Sequence, residues 1–170
     1  ECEAEEIDFE GALLERVTFM KASAARARFR GATLTKTTFV DCATLDGSDF
    51  SSVRAETLLV RGQRLEGASF RGATLAGSDL SEARLLGADL SRVVARGCLF
   101  IRADLAGADV RYADLLSAIL SKANLRGADL TGANLFRADL SRVRVDGATR
   151  LDGANMTQAR TRPRANDGPR

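Results

Sequence analysis

Large apolar residues recur along this chain at every fifth position. They begin at Phe9, Leu14, Phe19, Ala24, Phe29, Leu34 and Phe39, slip by one residue, and run from Leu45 at every fifth residue to Val145. After a second slip they end at Leu151 and Met156. Sixteen of these thirty centres are Leu and seven are Phe. The position two before a centre is Ala in eighteen cases, and fourteen of the fifteen glycines fall two after a centre. A spacing of five matches neither the helix nor the strand period. A helix would spread its leucines around the whole barrel and carry phased glycines at about 1 kcal/mol each relative to Ala. A flat strand would bury half of its Asp and Arg. The spacing predicts a chain that turns a corner once per quintet. The centre and the residue two before it then point inward, and the other three point out. Gly suits a turn position where φ can be positive.

The clearest stretch is Ala123-Asn124-Leu125-Arg126-Gly127-Ala128-Asp129-Leu130-Thr131-Gly132-Ala133-Asn134-Leu135. Tandems of this kind resemble the pentapeptide repeat family, and the resemblance covers residues 7–159. It implies an all-β fold, a right-handed quadrilateral parallel β-helix with four repeats per coil. At about 4.8 Å per coil, about seven to eight coils make a rod roughly 35 Å long.

With four repeats per coil, slots twenty residues apart stack. If the first slip is a one-residue bulge, one column is Phe9, Phe29, Phe50, Phe70, Leu90, Val110, Leu130, and a second is Phe19, Phe39, Val60, Leu80, Phe100, Leu120, Leu140. The remaining two are Leu14, Leu34, Ala55, Leu75, Ala95, Leu115, Leu135 and Ala24, Leu45, Leu65, Leu85, Leu105, Leu125, Val145. This register keeps Phe in two columns; a longer loop with a reset phase is the alternative. Leu58 and Gln63 occupy normally small inward slots, so the coil near 55–65 is expected to be irregular, with Gln63 needing a partner. Ala55 and Ala95 leave room for Val53, Leu58 and Val93. The predicted organisation is an acidic lead-in over 1–6, the β-helix over 7–159, and a basic disordered tail over 160–170.

Composition sharpens this picture. Only 5 % of residues are aromatic and Trp is absent, so the core is narrow. Residues 1–10 carry six acids and no base; residues 11–159 hold 21 bases against 16 acids. With no His in the chain, Ser-His and Cys-His pairs and most zinc chemistry are excluded. Asp79, Asp89, Asp104, Asp109, Asp114, Asp129 and Asp139 share one phase, which fits turn and ladder residues better than paired acids. Tyr112 has no base beside it in sequence. Cys2, Cys42 and Cys98 have neither metal nor disulfide spacing, and Cys98 falls in an inward slot. No catalytic residue, metal or cofactor is expected. No apolar run is long enough to span a bilayer, and no signal peptide is visible. A bacterial cytoplasmic setting follows, with export by a non-classical system as the other option. Glu1 in place of Met suggests a piece of a longer chain.

The outward apolar residues point to binding. Phe136 is the one Phe outside a centre slot. Leu116 lies one coil earlier on the same edge, while Leu99, Ile101 and Ile119 flank centres Phe100 and Leu120 around the corner. These five are expected to form one exposed patch for a protein partner or for a homodimer. Nucleic acid is disfavoured, because a solvated end explains the arginines of the tail. The run from Phe136 through Arg144, then Thr149–Ala154 and Arg160–Pro163, resembles the ending of certain bacterial pentapeptide-repeat regions. Those sit at the C-termini of larger proteins associated with type VI secretion. A protein-interaction or scaffold module is therefore the expected function. The alternative from the same family is an inhibitor or protector of DNA gyrase that imitates a duplex and confers antibiotic resistance. That mimicry needs a strongly negative surface, and residues 11–159 are net positive.

Overall fold

The computed structural model describes residues 2–3, 7–42 and 44–162. Its named strands are short: β1 (Cys2–Glu3), β2 (Leu13–Glu15), β3 (Thr18–Met20), β4 (Ala22–Ser23), β5 (Thr33–Thr35), β6 (Thr38–Val40), β7 (Arg54–Glu56) and β8 (Thr74–Ala76). All pair in parallel, as β1-β4, β3-β6 and β2-β5-β7-β8. Beyond Ala76 the ladder continues as single parallel bridges that recur every five residues. The chain is a right-handed, four-sided parallel β-helix.

The bridges fix which side chains stack. On the first face Asp8, Arg28, Asp49, Ser69, Asp89, Asp109, Asp129 and Arg150 bridge in succession, and the centre that follows each one forms the column Phe9 to Leu151. On the second face Leu14, Leu34, Ala55 and Leu75 pair directly, and the ladder goes on through Val94, Asp114, Asn134 and Asn155. The third carries Phe19 on Phe39, then Leu59, Asp79, Leu99, Ile119, Asp139 and Arg160. The fourth joins Ser23 to Thr44, and Arg64 through Arg84, Asp104 and Asn124 to Arg144. These are the four expected columns. Partners lie twenty residues apart, and twenty-one across each slip (Arg28 to Asp49, Asp129 to Arg150). Each slip is thus a one-residue bulge within a coil, not a loop that resets the phase.

The ladder reaches past the expected limits at both ends. Cys2–Glu3 pairs with Ala22–Ser23, and Arg160 bridges Asp139 with its guanidinium on that carboxylate. The rest of the acidic lead-in (Glu1 and residues 4–6) and the tail from 163 to 170 lie outside the described residues.

Most corners are hydrogen-bonded turns, as in Ala12 N–H to the Phe9 carbonyl at 3.0 Å and Ala128 N–H to Leu125 at 3.1 Å. Except at Gly147 in the second slip, the residue two after the centre sits at positive φ whether or not it is Gly: Gly127 at 65°, but also Arg102 at 58° and Lys122 at 64°. A left-handed residue with a Cβ costs roughly 1–2 kcal/mol, so the stacked coils impose the corner on them. Gly132 has a second reason to be glycine. The Tyr112 ring of the preceding coil lies over it, and a Cβ there would meet the ring at 2.6 Å.

Strands replace turns at six corners of the second and third faces, those centred on Leu14, Phe19, Leu34, Phe39, Ala55 and Leu75. Three of the carbonyls freed from turn bonding meet side-chain donors one coil on. Thr37 Oγ1 donates to Leu14 O at 3.1 Å, Cys42 Sγ to Phe19 O at 3.6 Å, and Cys98 Sγ to Leu75 O. Thr37 and Cys98 act from the inward slot two before a centre, and Cys42 from within the first slip. Burial pushes the Cys98 thiol up to about 11, against the backbone hydrogen bond that Ser78 supplies. It is a core thiol.

The core divides by composition. Phe9, Phe29, Phe50 and Phe70 stack with centroids 5.0, 4.7 and 4.9 Å apart, and Phe19 lies on Phe39 at 4.7 Å. The later coils hold Leu on Leu. Val53, Leu58 and Val93 are buried beside the small centres Ala55 and Ala95. The coil at 55–65, expected to be irregular, keeps its ladder: Leu59 bridges Thr38 and Asp79, and Arg64 bridges Arg84. The irregularity lies one coil earlier, and Gln63 serves it. Its Oε1 accepts Cys42 N–H at 3.2 Å and its Nε2 donates to Arg61 O at 3.2 Å.

The second slip is held by Asp146. Its Oδ1 accepts Gly127 N–H and Ala148 N–H, both at 3.0 Å, taking the place of the main-chain carbonyl that Gly127 lacks there. The bond from Gly127 is the largest cause holding this carboxyl below the usual range; desolvation opposes it next, and the bonds from Ala148 and Thr149 add to the lowering. A lowered folded pKa gives stability above the unfolded pKa, near 4, that is lost as pH falls through the folded value. The 145–151 segment of the last coil should loosen in that acid window. Hydrogen exchange at Gly127 N–H checks this: Asp146→Asn should flatten the pH dependence of its protection, whereas an unchanged profile would mean the carboxylate does not hold the slip.

Candidate interaction surface

With centres and small slots turned inward, three of every five side chains coat the rod. The phased carboxylates on this coat serve the backbone. Asp49, Asp79, Asp89, Asp129 and Asp139 each accept the N–H two residues on at 2.8–2.9 Å, an Asx turn that caps the corner. Others add rungs between coils: Asn124 Nδ2 donates to Asp104 at 2.8 Å and Asn134 Nδ2 to Asp114 at 2.9 Å. Asp109 is held below the usual carboxylate range first by the Arg111 side chain, and Asp8 first by Glu10 N–H and then Arg28. A carboxyl tuned for proton transfer is displaced the other way. Among the described residues no group of three or more His, Cys, Asp or Glu could hold a metal ion.

The five apolar candidates occupy two columns and one separate position. Leu99 and Ile119 are bridge partners on the third face. Leu116 and Phe136 are coil neighbours on the second, where Ser117 N–H bonds the Phe136 carbonyl at 2.9 Å. Ile101 lies across the third face, at the level where Glu82 N–H bonds its carbonyl and between the serines Ser81 and Ser121 of the adjoining coils. All five are half-buried. The Arg137 guanidinium lies 5.0 Å from the Phe136 ring centre and bonds Gln158, a cation–π contact that shields part of the ring.

More exposed apolar side chains sit elsewhere: Leu13, Met20, Leu86, Val94, Tyr112, Val145 and Leu151. Val94 belongs to the second face, on the coil before Leu116. Val145 and Leu151 are centre slots, and they line a cavity of about 310 Å³ at the last coil together with Leu130, Leu140 and Met156. Sequence reading assigned them to the core. The signal it passed over is that the run of centres stops at Met156, so these residues have no following centre to cover them.

Fold and surface together define a β-solenoid whose phased carboxylates cap its corners and bridge its coils. The chain belongs to the pentapeptide repeat family: the family model for pentapeptide repeats matches in eight copies, over residues 5–41, 61–94, 84–121, 98–135 and 118–149. No curated protein sequence matches the chain. Among solved structures it is similar to a trypsin-treated variant of QnrB1, a plasmid-mediated fluoroquinolone resistance protein, at 26 % identity and a TM-score of 0.67, over 84 % of this chain and 79 % of that one. A second trypsin-treated QnrB1 variant gives 25 %, 0.67, 84 % and 81 %. A pentapeptide repeat protein, Rfr23, from the cyanobacterium Cyanothece 51142 is 24 % identical over 88 % of this chain and 91 % of its own, with a TM-score of 0.49.

Proposed function

We propose that this rod is a non-enzymatic protein-binding module that engages a protein partner along the edge between its second and third faces. The observation that carries this is the stacking of Leu99 on Ile119 and of Leu116 on Phe136 in adjoining coils. These four form an apolar ridge beside that edge, with Ile101 across the third face. An aromatic flanked by Arg and set among aliphatics is the composition of a binding hot spot. The resemblance carried by the 136–163 run supports a module at the C-terminus of a larger bacterial protein, in the cytoplasm and linked to type VI secretion. Among the described residues no helix is long and apolar enough to cross a membrane.

The test is a pull-down with Phe136→Ser and Leu116→Ser beside an Arg30→Ser control on the first face. A captured protein should be lost from the ridge variants, by about tenfold or more in affinity, and kept by the control. Equal capture by all three would remove the ridge from consideration.

The similarity to QnrB1 favours a second reading, in which the rod binds DNA gyrase or a related topoisomerase and protects it from antibiotic. The charge pattern weighs against duplex imitation, since 21 bases face 16 acids over residues 11–159. A gyrase supercoiling assay separates the readings. The partner-binding reading expects neither inhibition nor quinolone protection at micromolar protein.

A further inference from the structure

Resting on the ridge reading, we infer that the segment seated on the third face is an acidic amphipathic α-helix of another protein. The apolar candidates form a band across that face. Ile101 and Leu99 stand on one coil, Ile119 and Leu116 on the next, and Phe136 on the one after. Main-chain bonds join these coils, as in Phe100 N–H to Ile119 O at 2.8 Å and Ser117 N–H to Phe136 O at 2.9 Å. The ladder continues on both sides, to Asp79 before Leu99 and to Asp139 and Arg160 after Ile119. The band is therefore a side of the rod and not an end.

The backbone selects a helix. Leu99 N–H is bonded to Ser78 O at 3.1 Å and its carbonyl to Leu80 N–H at 2.8 Å. Ile119 N–H is bonded to Cys98 O at 2.9 Å and its carbonyl to Phe100 N–H at 2.8 Å. The band thus has no main-chain group to offer a strand. An extended segment would press its own unpaired N–H and C=O groups against Leu99 and Ile119, at a cost. A helix arrives with its backbone paired. Its side chains at i and i+4 stand about 5–6 Å apart, close to the rise of about 4.8 Å from coil to coil. An apolar stripe on it can follow the band.

Charge selects the sign. Arg102, Lys122 and Arg142 follow one another down the corner between the third and fourth faces, Arg102 N–H bonding Ser121 O at 3.0 Å and Lys122 N–H bonding Ser141 O at 2.9 Å. Arg137 stands at the opposite corner, 5.0 Å from the Phe136 ring centre. The nearby acids are already engaged by arginines of this chain: Asp114 by Arg96, Glu82 by Arg61, and Asp139 by Arg160. Among the described residues no carboxylate pairs with Lys122 or Arg137. A second copy laid face to face would set these cations against their like, and the described residues contain no helix. Carboxylates flanking an apolar stripe meet the cations at both corners.

Fluorescence anisotropy with a labelled synthetic helix tests this. The probe has about 15 residues, with Leu at i, i+3, i+4 and i+7 and Glu on both flanks of that stripe. A twin carries Lys in place of each Glu, and a third peptide breaks the Glu helix with a central Pro. The Glu helix should bind about tenfold or more tightly than either. Its affinity should fall between about 0.05 and 0.5 M salt. Arg102→Glu/Lys122→Glu should weaken the Glu helix about tenfold or more and strengthen the Lys twin. Phe136→Ser/Leu116→Ser should weaken both helices, and Arg30→Ser neither. Circular dichroism shows that each variant keeps the fold, and Lys122→Glu alone decides the charge step if the double variant does not fold. No binding of the Glu helix at about 1 mM, equal binding of the Lys twin or the Pro peptide, or charge reversal without effect would overturn the proposal and leave the ridge to its own pull-down. Binding untouched by Phe136→Ser/Leu116→Ser would instead remove the ridge.

Discussion

Phe50→Ala should lower the unfolding free energy by about 3–5 kcal/mol. The ring is fully buried, stacked between Phe29 and Phe70 with planes within 3° and 4°, and it meets Phe39 edge-on at 6.1 Å. Truncation removes the transfer energy of the ring and three aromatic contacts worth roughly 0.5–1.5 kcal/mol each. It also leaves a void that cannot close. In a helical protein the neighbours tilt into a cavity, but here coil spacing is set by main-chain hydrogen bonds such as Phe50 N–H to Ser69 O at 2.7 Å. The wall holds its dimensions and the void persists. Phe9→Ala is the internal comparison. Phe9 is partly buried and stacked on Phe29 alone in its column, so its loss should be less than half as large. Urea unfolding with compared m-values measures both. Equal losses would show that the coils do not add as nearest neighbours.

The same residues show how far the sequence carries. All four columns were legible, and a one-residue bulge was the favoured reading of the first slip because it keeps Phe in two columns; the second slip lies beyond Phe100, the last Phe centre, so the same argument did not reach it. The aspartates were legible as turn residues, since one phase repeated over seven positions is a backbone demand. The replacement of turns by strands at Leu14, Leu34, Ala55 and Leu75 was not. The slot three residues on does not decide it: Val17, Thr37, Leu58 and Ser78 stand there, but Val53, Gln63 and Val93 follow corners that keep their turn bond, and Ala22 follows the strand at Phe19. The choice is not visible within one quintet. The candidate ridge was legible as outward positions, but its partial cover by Arg137 was not, because the guanidinium is held there by Gln158, one coil on, which no reading of single positions shows. The exposed end was missed for a simpler reason. Periodicity treats every centre alike, whereas burial of a centre requires a following coil.

Gln63→Met should cost about 1–3 kcal/mol, although the volume is nearly conserved, because it leaves the half-buried Cys42 N–H without an acceptor. The amide occupies an inward slot that elsewhere holds Ala, Ser, Thr, Val, Cys, Ile or Leu, and it is 8 % exposed. From there it reaches the coil before, where the one-residue slip has displaced the main-chain acceptor that Cys42 would otherwise meet. Its own donor is satisfied by the Arg61 carbonyl, so both ends of the amide are used. Gln63→Glu sharpens the test. It keeps an acceptor for Cys42 but replaces the donor to Arg61 O with an oxygen, and it buries a charge. Its folded pKa should lie above the unfolded value near 4.3. Stability of this variant should therefore recover as pH falls from 7 toward the folded pKa, the reverse of the Asp146 dependence. Hydrogen exchange at Cys42 N–H is the direct readout. Protection should fall in Gln63→Met more than at Gly87 N–H, which bonds the Ala106 carbonyl at 3.0 Å two coils away. Full protection of Cys42 in a Met variant as stable as the parent would mean that the bulge holds itself, and that the glutamine is packing alone.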